Sequence, residues 1–170
     1  MVRNRTHFIL KKFICKANVY ERKTYMSREK IDCIYETVKK INHAYEVWAT
    51  AHDLTLYELQ IYYEMVKNDS EAMTQKDLCQ KLDAPKTSIN SIIRKQLNTG
   101  YIKMQTNPQN KREKIISLTT SGQVFAQALI QPLFQYEEEA ATMLDEKEMA
   151  AAITIQNQFA DTLLQIVEKK

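Results

Sequence analysis

From Ile31 the apolar positions run Ile31, Ile34, Val38, Ile41, Tyr45 and Trp48, at spacings alternating between three and four. That is a heptad-like seam along one face of a helix. A seam so regular on a terminal helix predicts packing against other helices, often those of a second subunit. Ser27 is placed to cap its start. Thr55 with Glu58 three residues on reads as a capping box, opening a second helix with Leu59, Tyr62 and Val66 inward. Asn68, Asp69 and Ser70 break that helix. Thr74 with Asp77 caps a short helix whose inner face is Leu78 and Leu82. After the turn Asp83-Ala84-Pro85, a further helix buries Ile89, Ile92 and Ile93, and Gly100 closes it as a left-handed cap.

Beyond Gly100 the helical period gives way to alternation. Ile102 and Met104 alternate with Lys103 and Gln105, and Ile116 and Leu118 bracket Ser117. Two short strands joined by the polar loop Thr106 to Glu113 follow from that pattern. Thr119 to Gly122 restarts helix, with Phe125, Leu129, Leu133, Tyr136 and Ala140 as its seam and Pro132 as an expected kink. Asp145 and Glu148 cap the last helix, with Met149, Ile153, Phe159, Leu163 and Ile166 inward. The expected fold is mainly α with a small β-hairpin wing: a winged helix-turn-helix lobe at about 53–118 and a helical region at about 27–51 and 119–168, which the family resemblance given below assigns to dimerisation.

Composition agrees with a helical chain of ordinary core content: 44% hydrophobic residues, two glycines and three prolines in 170 residues. No apolar run approaches membrane-spanning length, and Lys11 and Lys12 interrupt the patch Phe8-Ile9-Leu10, so a soluble cytoplasmic protein is expected. Residues 1–25 carry Arg3, Arg5, Lys11, Lys12, Lys16, Arg22 and Lys23 with little periodicity. They read as a flexible or partly helical tail, or as an over-extended reading frame ahead of Met26, in preference to a DNA-touching arm. The single domain is then 26–170.

Net charge is only +3, but its distribution matters more. Between Lys86 and Lys114 lie seven Lys/Arg against one acid, Glu113, whereas the C-terminal third is acidic. A helix that buries one face and offers Lys86, Thr87, Ser88, Asn90, Ser91, Arg94 and Lys95 on the other has the side chains that reach phosphates and base edges. A hairpin carrying Lys111, Arg112 and Lys114 suits the flanking minor groove. Either half alone reads as a solvated surface; the two in this order point to duplex DNA.

Four motifs in sequence resemble those of the MarR family of winged-helix transcriptional regulators: Thr74–Leu82, Lys86–Gly100, Pro108–Arg112 and Leu118–Gly122. The resemblance covers nearly all of residues 28–168. It implies a cytoplasmic homodimer held by the first and last two helices, binding a pseudo-palindromic operator, as a repressor released by a small aromatic molecule or an oxidant. Two positions depart from the pattern. Asn110 stands where Asp is usual, which would weaken a charge-assisted bond orienting Arg112. Gln96 stands where leucine is frequent, which would loosen the lobe.

Some relatives in that family sense oxidants through a cysteine near the start of the first long helix, with tyrosines nearby. Cys33, with Tyr57, Tyr62 and Tyr63, is the candidate here, set against an ordinary packed cysteine. Trp48, Tyr57, Tyr62, Tyr63 and Met65 make a candidate effector cluster, set against ordinary aromatic core. Three scattered cysteines and three histidines suit neither a disulfide framework nor zinc, and His43 would pair with Glu46 or Glu36. No metal or cofactor is expected. With no Ser-His-Asp order, paired catalytic carboxylates or phosphate-binding glycine loop, neither is an enzyme. The competing function is a winged-helix interaction module whose basic face docks an acidic protein.

Overall fold

The computed structural model describes residues 19–67 and 72–169, with side chains from residue 28 onward. In chain order the elements are α1 (Val19–Ala51), α2 (Leu56–Lys67), β1 (Met73–Thr74), α3 (Gln75–Lys81), α4 (Lys86–Thr99), β2 (Ile102–Thr106), β3 (Lys114–Leu118), α5 (Thr120–Thr142) and α6 (Glu146–Glu168). Two units are distinguished, 1–43 and 44–170. Among the described residues of the first, α1 is surface-paired by Arg28 with Asp32 at 3.2 Å and Lys39 with Glu36 at 2.8 Å, and leaves Tyr35, Val38 and Ile41 exposed.

Helix α1 begins ahead of the expected Ser27 cap, because Val19 to Met26 contains no glycine or proline to stop it. The other expectations for residues 1–25 lie outside the described residues, apart from that backbone.

In the second unit, the capping logic reads through to structure. The Thr55 hydroxyl accepts from Glu58 N at 3.3 Å, while Thr55 N donates to Glu58 Oε2 at 2.8 Å. Thr74 and Asp77 close the same reciprocal box on α3. Asp145 accepts from Lys147 N and Glu148 N at the start of α6. Each box satisfies amide groups that a helix start otherwise leaves without partners. The turn between α3 and α4 passes through Asp83 in the left-handed region (φ 44°), which Asp tolerates better than bulkier residues.

The core draws on Leu59, Ile61, Tyr62 and Met65 of α2, Leu78 of α3, Ile89 and Ile93 of α4, Ile116 of β3, and Leu129, Ile130 and Leu133 of α5. The three-stranded antiparallel sheet has order β1-β3-β2, with Met104 opposite Ile116 and Met73 opposite Ile116 on the other side. Strand β1 was not among the expected elements. Two residues are too few to show an alternating pattern, and Met73 is recognisable as a strand residue only once β3 lies beside it.

Both glycines are explained, by different causes. Gly100 takes φ 76° at the C-terminus of α4, where a side chain would be strained. Gly122 has ordinary helical backbone, but a Cβ there would lie 1.8 Å from the Tyr101 carbonyl oxygen. The start of α5 therefore presses directly on the residue that follows α4. Thr119 completes the junction, accepting from Gly122 N at 3.0 Å and donating to Gly100 O at 2.7 Å.

Helix α6 departs from expectation. None of its residues is buried, and Met149, Ile153, Leu163 and Ile166, expected inward, are exposed, with Ile153 at 51% and Ile166 at 54%. Its apolar seam exists, but those residues stay exposed among the described residues.

Candidate nucleic-acid interface

Helix α4 is anchored from behind by a buried polar network as well as by isoleucines. Glu58 is almost wholly buried, yet each carboxylate oxygen has two donors. Oε2 accepts from Thr55 N and Oγ1, at 2.8 and 3.0 Å. Oε1 accepts from Gln96 Nε2 at 2.9 Å and pairs with Lys95 Nζ at 2.7 Å. Burial alone would raise the Glu58 carboxyl. The Lys95 ammonium and the bonds from Thr55 and Gln96 outweigh it and hold the group below the ordinary carboxylate range. Gln96 is itself buried and its Oε1 accepts from the Tyr62 hydroxyl at 2.6 Å. The expectation that Gln96 loosens the lobe is corrected by this geometry: it ties α4 to α2 at two points.

The network also changes the role of one expected DNA contact. Lys95 is turned to the Glu58 side of α4 instead of standing free. Lys86, Thr87, Ser91 and Arg94 are exposed on the outer face, and Ser88 and Asn90 are half-buried. Asn90 accepts at Oδ1 from Gln75 Nε2 of α3, so it links the two helices of the helix-turn-helix. On the wing, Lys111 and Arg112 are exposed, and Lys114 Nζ donates to Thr106 Oγ1 at 2.8 Å across the hairpin.

Asn110 holds the wing tip through the main chain. Its Oδ1 accepts from Arg112 N at 3.2 Å, and its carbonyl accepts from Glu113 N at 2.9 Å. Asn107 repeats the arrangement, accepting from Gln109 N at 3.0 Å. These are Asx-type turns, which Asn forms as well as Asp does. Replacing Asp by Asn therefore leaves the turn intact.

Between α3, the start of α4 and the wing lies a cleft of about 340 Å³, lined by Thr74, Gln75, Lys76, Cys79, Lys86, Arg112, Glu113 and Lys114. Four cations around one partly open cleft suit a phosphate group. Gln75 and Lys76 were not singled out from sequence. The readable signal was that Gln75 and Lys76 directly follow the Thr74 cap and so must sit on the first turn of α3, beside the start of α4.

Of the candidate effector residues, Tyr62 lies in the core and Trp48 and Tyr63 pack against it. Tyr63, half-buried, donates to Glu137 Oε2 at 3.1 Å, and Tyr45 donates to the other oxygen at 2.7 Å. Burial first, then the Glu137 charge, pushes the Tyr63 phenol up to about 12 and raises Tyr45 further. Trp48 donates to Leu129 O at 3.1 Å and stacks edge-on with Tyr136. Tyr62 belongs instead to the Gln96 network and packs edge-on against Phe125. Tyr57 is exposed, and Cys33, also exposed, lies on the 1–43 portion of α1. Among the described residues no group of His, Cys, Asp and Glu could hold a metal, and no helix is long and apolar enough to cross a membrane.

Comparison with known proteins places this geometry. Residues 54–122 match the family model of a winged helix DNA-binding domain. The chain is similar in structure to the MarR family transcription regulator SP03579 (TM-score 0.71, 16% identity, covering 90% of this chain and 100% of that one). It is similar also to NMB1585, a MarR family regulator from Neisseria meningitidis (0.70, 20%, 83% and 99%). A third likeness is to a cysteine-to-serine variant of MarR from E. coli complexed with operator DNA (0.63, 16%, 84% and 99%). No curated protein sequence matches the chain. Residues 54–122 are thus similar to a winged helix DNA-binding domain, and the chain as a whole has the fold of the MarR regulators.

Proposed function

We propose that this chain, built around a winged helix DNA-binding domain, is a transcriptional regulator of the MarR type that binds a pseudo-palindromic operator as a homodimer and represses. One observation carries the reading. The outer face of α4 and the wing present Lys86, Arg94, Lys111 and Arg112 exposed, with Lys86 and Arg112 among the four cations that line the cleft, while the acidic partner of α4, Glu58, is buried. The E. coli MarR variant solved on operator DNA has this fold.

In this reading Thr87, Ser88, Asn90, Ser91 and Arg94 meet base edges and phosphates in the major groove. Lys111 and Arg112 hold the flank, and the cleft seats a backbone phosphate. A second copy covers α6 and sets two α4 helices roughly 34 Å apart. A small aromatic effector would meet the side chains around Trp48 and Tyr63, and an oxidant would meet exposed Cys33; either acts only by favouring the DNA-incompetent state.

A gel-shift with the DNA upstream of its own coding sequence tests this. A discrete band that resists nonspecific competitor and weakens steeply with salt is expected. Binding that competitor abolishes, together with tight capture of an acidic polypeptide, would favour the interaction-module alternative.

A further inference from the structure

Asn90 stands on α4, read above as the DNA-facing helix, and its amide already has a partner within the protein. A bidentate contact to adenine uses both prongs of an asparagine amide: the oxygen accepts from N6 while the nitrogen donates to N7. Here the Oδ1 prong is occupied by Gln75 Nε2, on the first turn of α3, and Gln75 lines the cationic cleft at the same surface. Asn90 is half-buried, so the amide sits in the seam between the helices of the motif. With its oxygen held towards α3, the group left for a base edge is the Nδ2 donor pair.

We propose that Gln75 is a positioning residue for sequence recognition: it locks the Asn90 amide so that α4 presents donors at this position and selects a base edge made of acceptors. Guanine offers such an edge in N7 and O6, whereas adenine pairs one acceptor with one donor. Gln75 acts through Asn90 and need not touch the base. The inference rests on the reading of α4 as the base-reading helix.

The test is selection of bound sequences from random duplex DNA by the full chain, with Gln75→Leu, Gln75→Glu and Asn90→Ala compared. Leucine cannot donate and releases the amide. Glutamate keeps the shape but only accepts, so Asn90 turns its Nδ2 inward and offers Oδ1 outward. The expected wild-type motif has a position preferring guanine over adenine by about tenfold. That position becomes degenerate in Asn90→Ala. In Gln75→Leu the preference moves towards adenine, and in Gln75→Glu towards the donor edge of adenine or cytosine, with the rest of the motif unchanged. Thermal melts identify a variant that does not fold, and the isosteric Gln75→Glu then stands for the test. An unaltered motif in folded Gln75 variants overturns the proposal, as does adenine at the Asn90-dependent position of the wild type. If the wild-type protein enriches no motif at all, the reading as a sequence-specific regulator fails with it, an outcome distinct from both.

Discussion

A glutamine facing a helix junction usually costs stability, because a buried amide must recover the hydrogen bonds it made to water. Gln96 recovers them from Tyr62 and Glu58. Replacing it with the apolar leucine that its position suggests would therefore orphan the Tyr62 hydroxyl and remove one donor from a buried carboxylate. Gln96→Leu is expected to lose about 1–3 kcal/mol in urea unfolding, despite its gain in apolar burial. Equal or greater stability would show that the network is incidental. The same network carries a pH signature. The Glu58 carboxyl lies below its ordinary value in the folded chain. The stability it contributes is therefore complete above the unfolded carboxylate range, about pH 4.3, and is lost as pH falls through the lower folded value. Glu58→Gln should reduce stability at pH 7 and flatten the dependence below about pH 4.5. An acid limb of unchanged steepness in the variant would assign it to other carboxylates.

At the scale of elements, the helix-turn-helix was legible because each of its signals is local. The capping Thr74 and Asp77, the turn at Asp83-Ala84-Pro85, the isoleucines at helical spacing and the closing Gly100 lie within one or two turns of what they control. What escaped depends on residues distant in sequence. Glu58 reads as half of a capping box, and nothing near it announces Lys95 or Gln96 across the lobe. Asn110 was expected to weaken the wing through the Arg112 guanidinium, but the bond that shapes the tip goes to Arg112 N. Arg112 itself is exposed at the wing, which the proposed function uses as a DNA contact. Arg112→Ala should weaken operator binding almost equally across sequences and reduce the salt slope by about one. Filter-binding titrations over a salt series check this, and unchanged affinity at moderate salt would count against a DNA-contacting wing. Gly122 makes the complementary point about the other end of the wing. Gly122→Ala sets a methyl against the Tyr101 carbonyl. The junction must open, and a loss on the order of 3 kcal/mol is expected from overpacking against backbone. A variant melting within a degree of the parent would mean that α5 can slide without cost.

At the scale of the whole molecule, α6 has no buried residue among the described ones. Burying one aliphatic side chain contributes roughly 1.5–3 kcal/mol, and Met149, Ile153, Leu163 and Ile166 forgo most of that in a single chain. In folded proteins most helical stability comes from packing of an amphipathic face and not from propensity. In the proposed homodimer a two-fold partner would cover these residues and bring two copies of α4 to one duplex. Dimerisation and operator affinity are therefore expected to fail together. Ile153→Glu with Leu163→Glu changes only residues exposed in the single chain, so the winged-helix lobe should keep its melting behaviour. Light scattering after size exclusion should report a dimer for the parent and a monomer for the double variant. Operator affinity should fall at least about a hundredfold as avidity is lost, while binding to a single half-site stays nearly constant. A double variant that remains dimeric would move the interface off α6. One that becomes monomeric yet holds the full operator as tightly as the parent would separate DNA recognition from the dimer altogether.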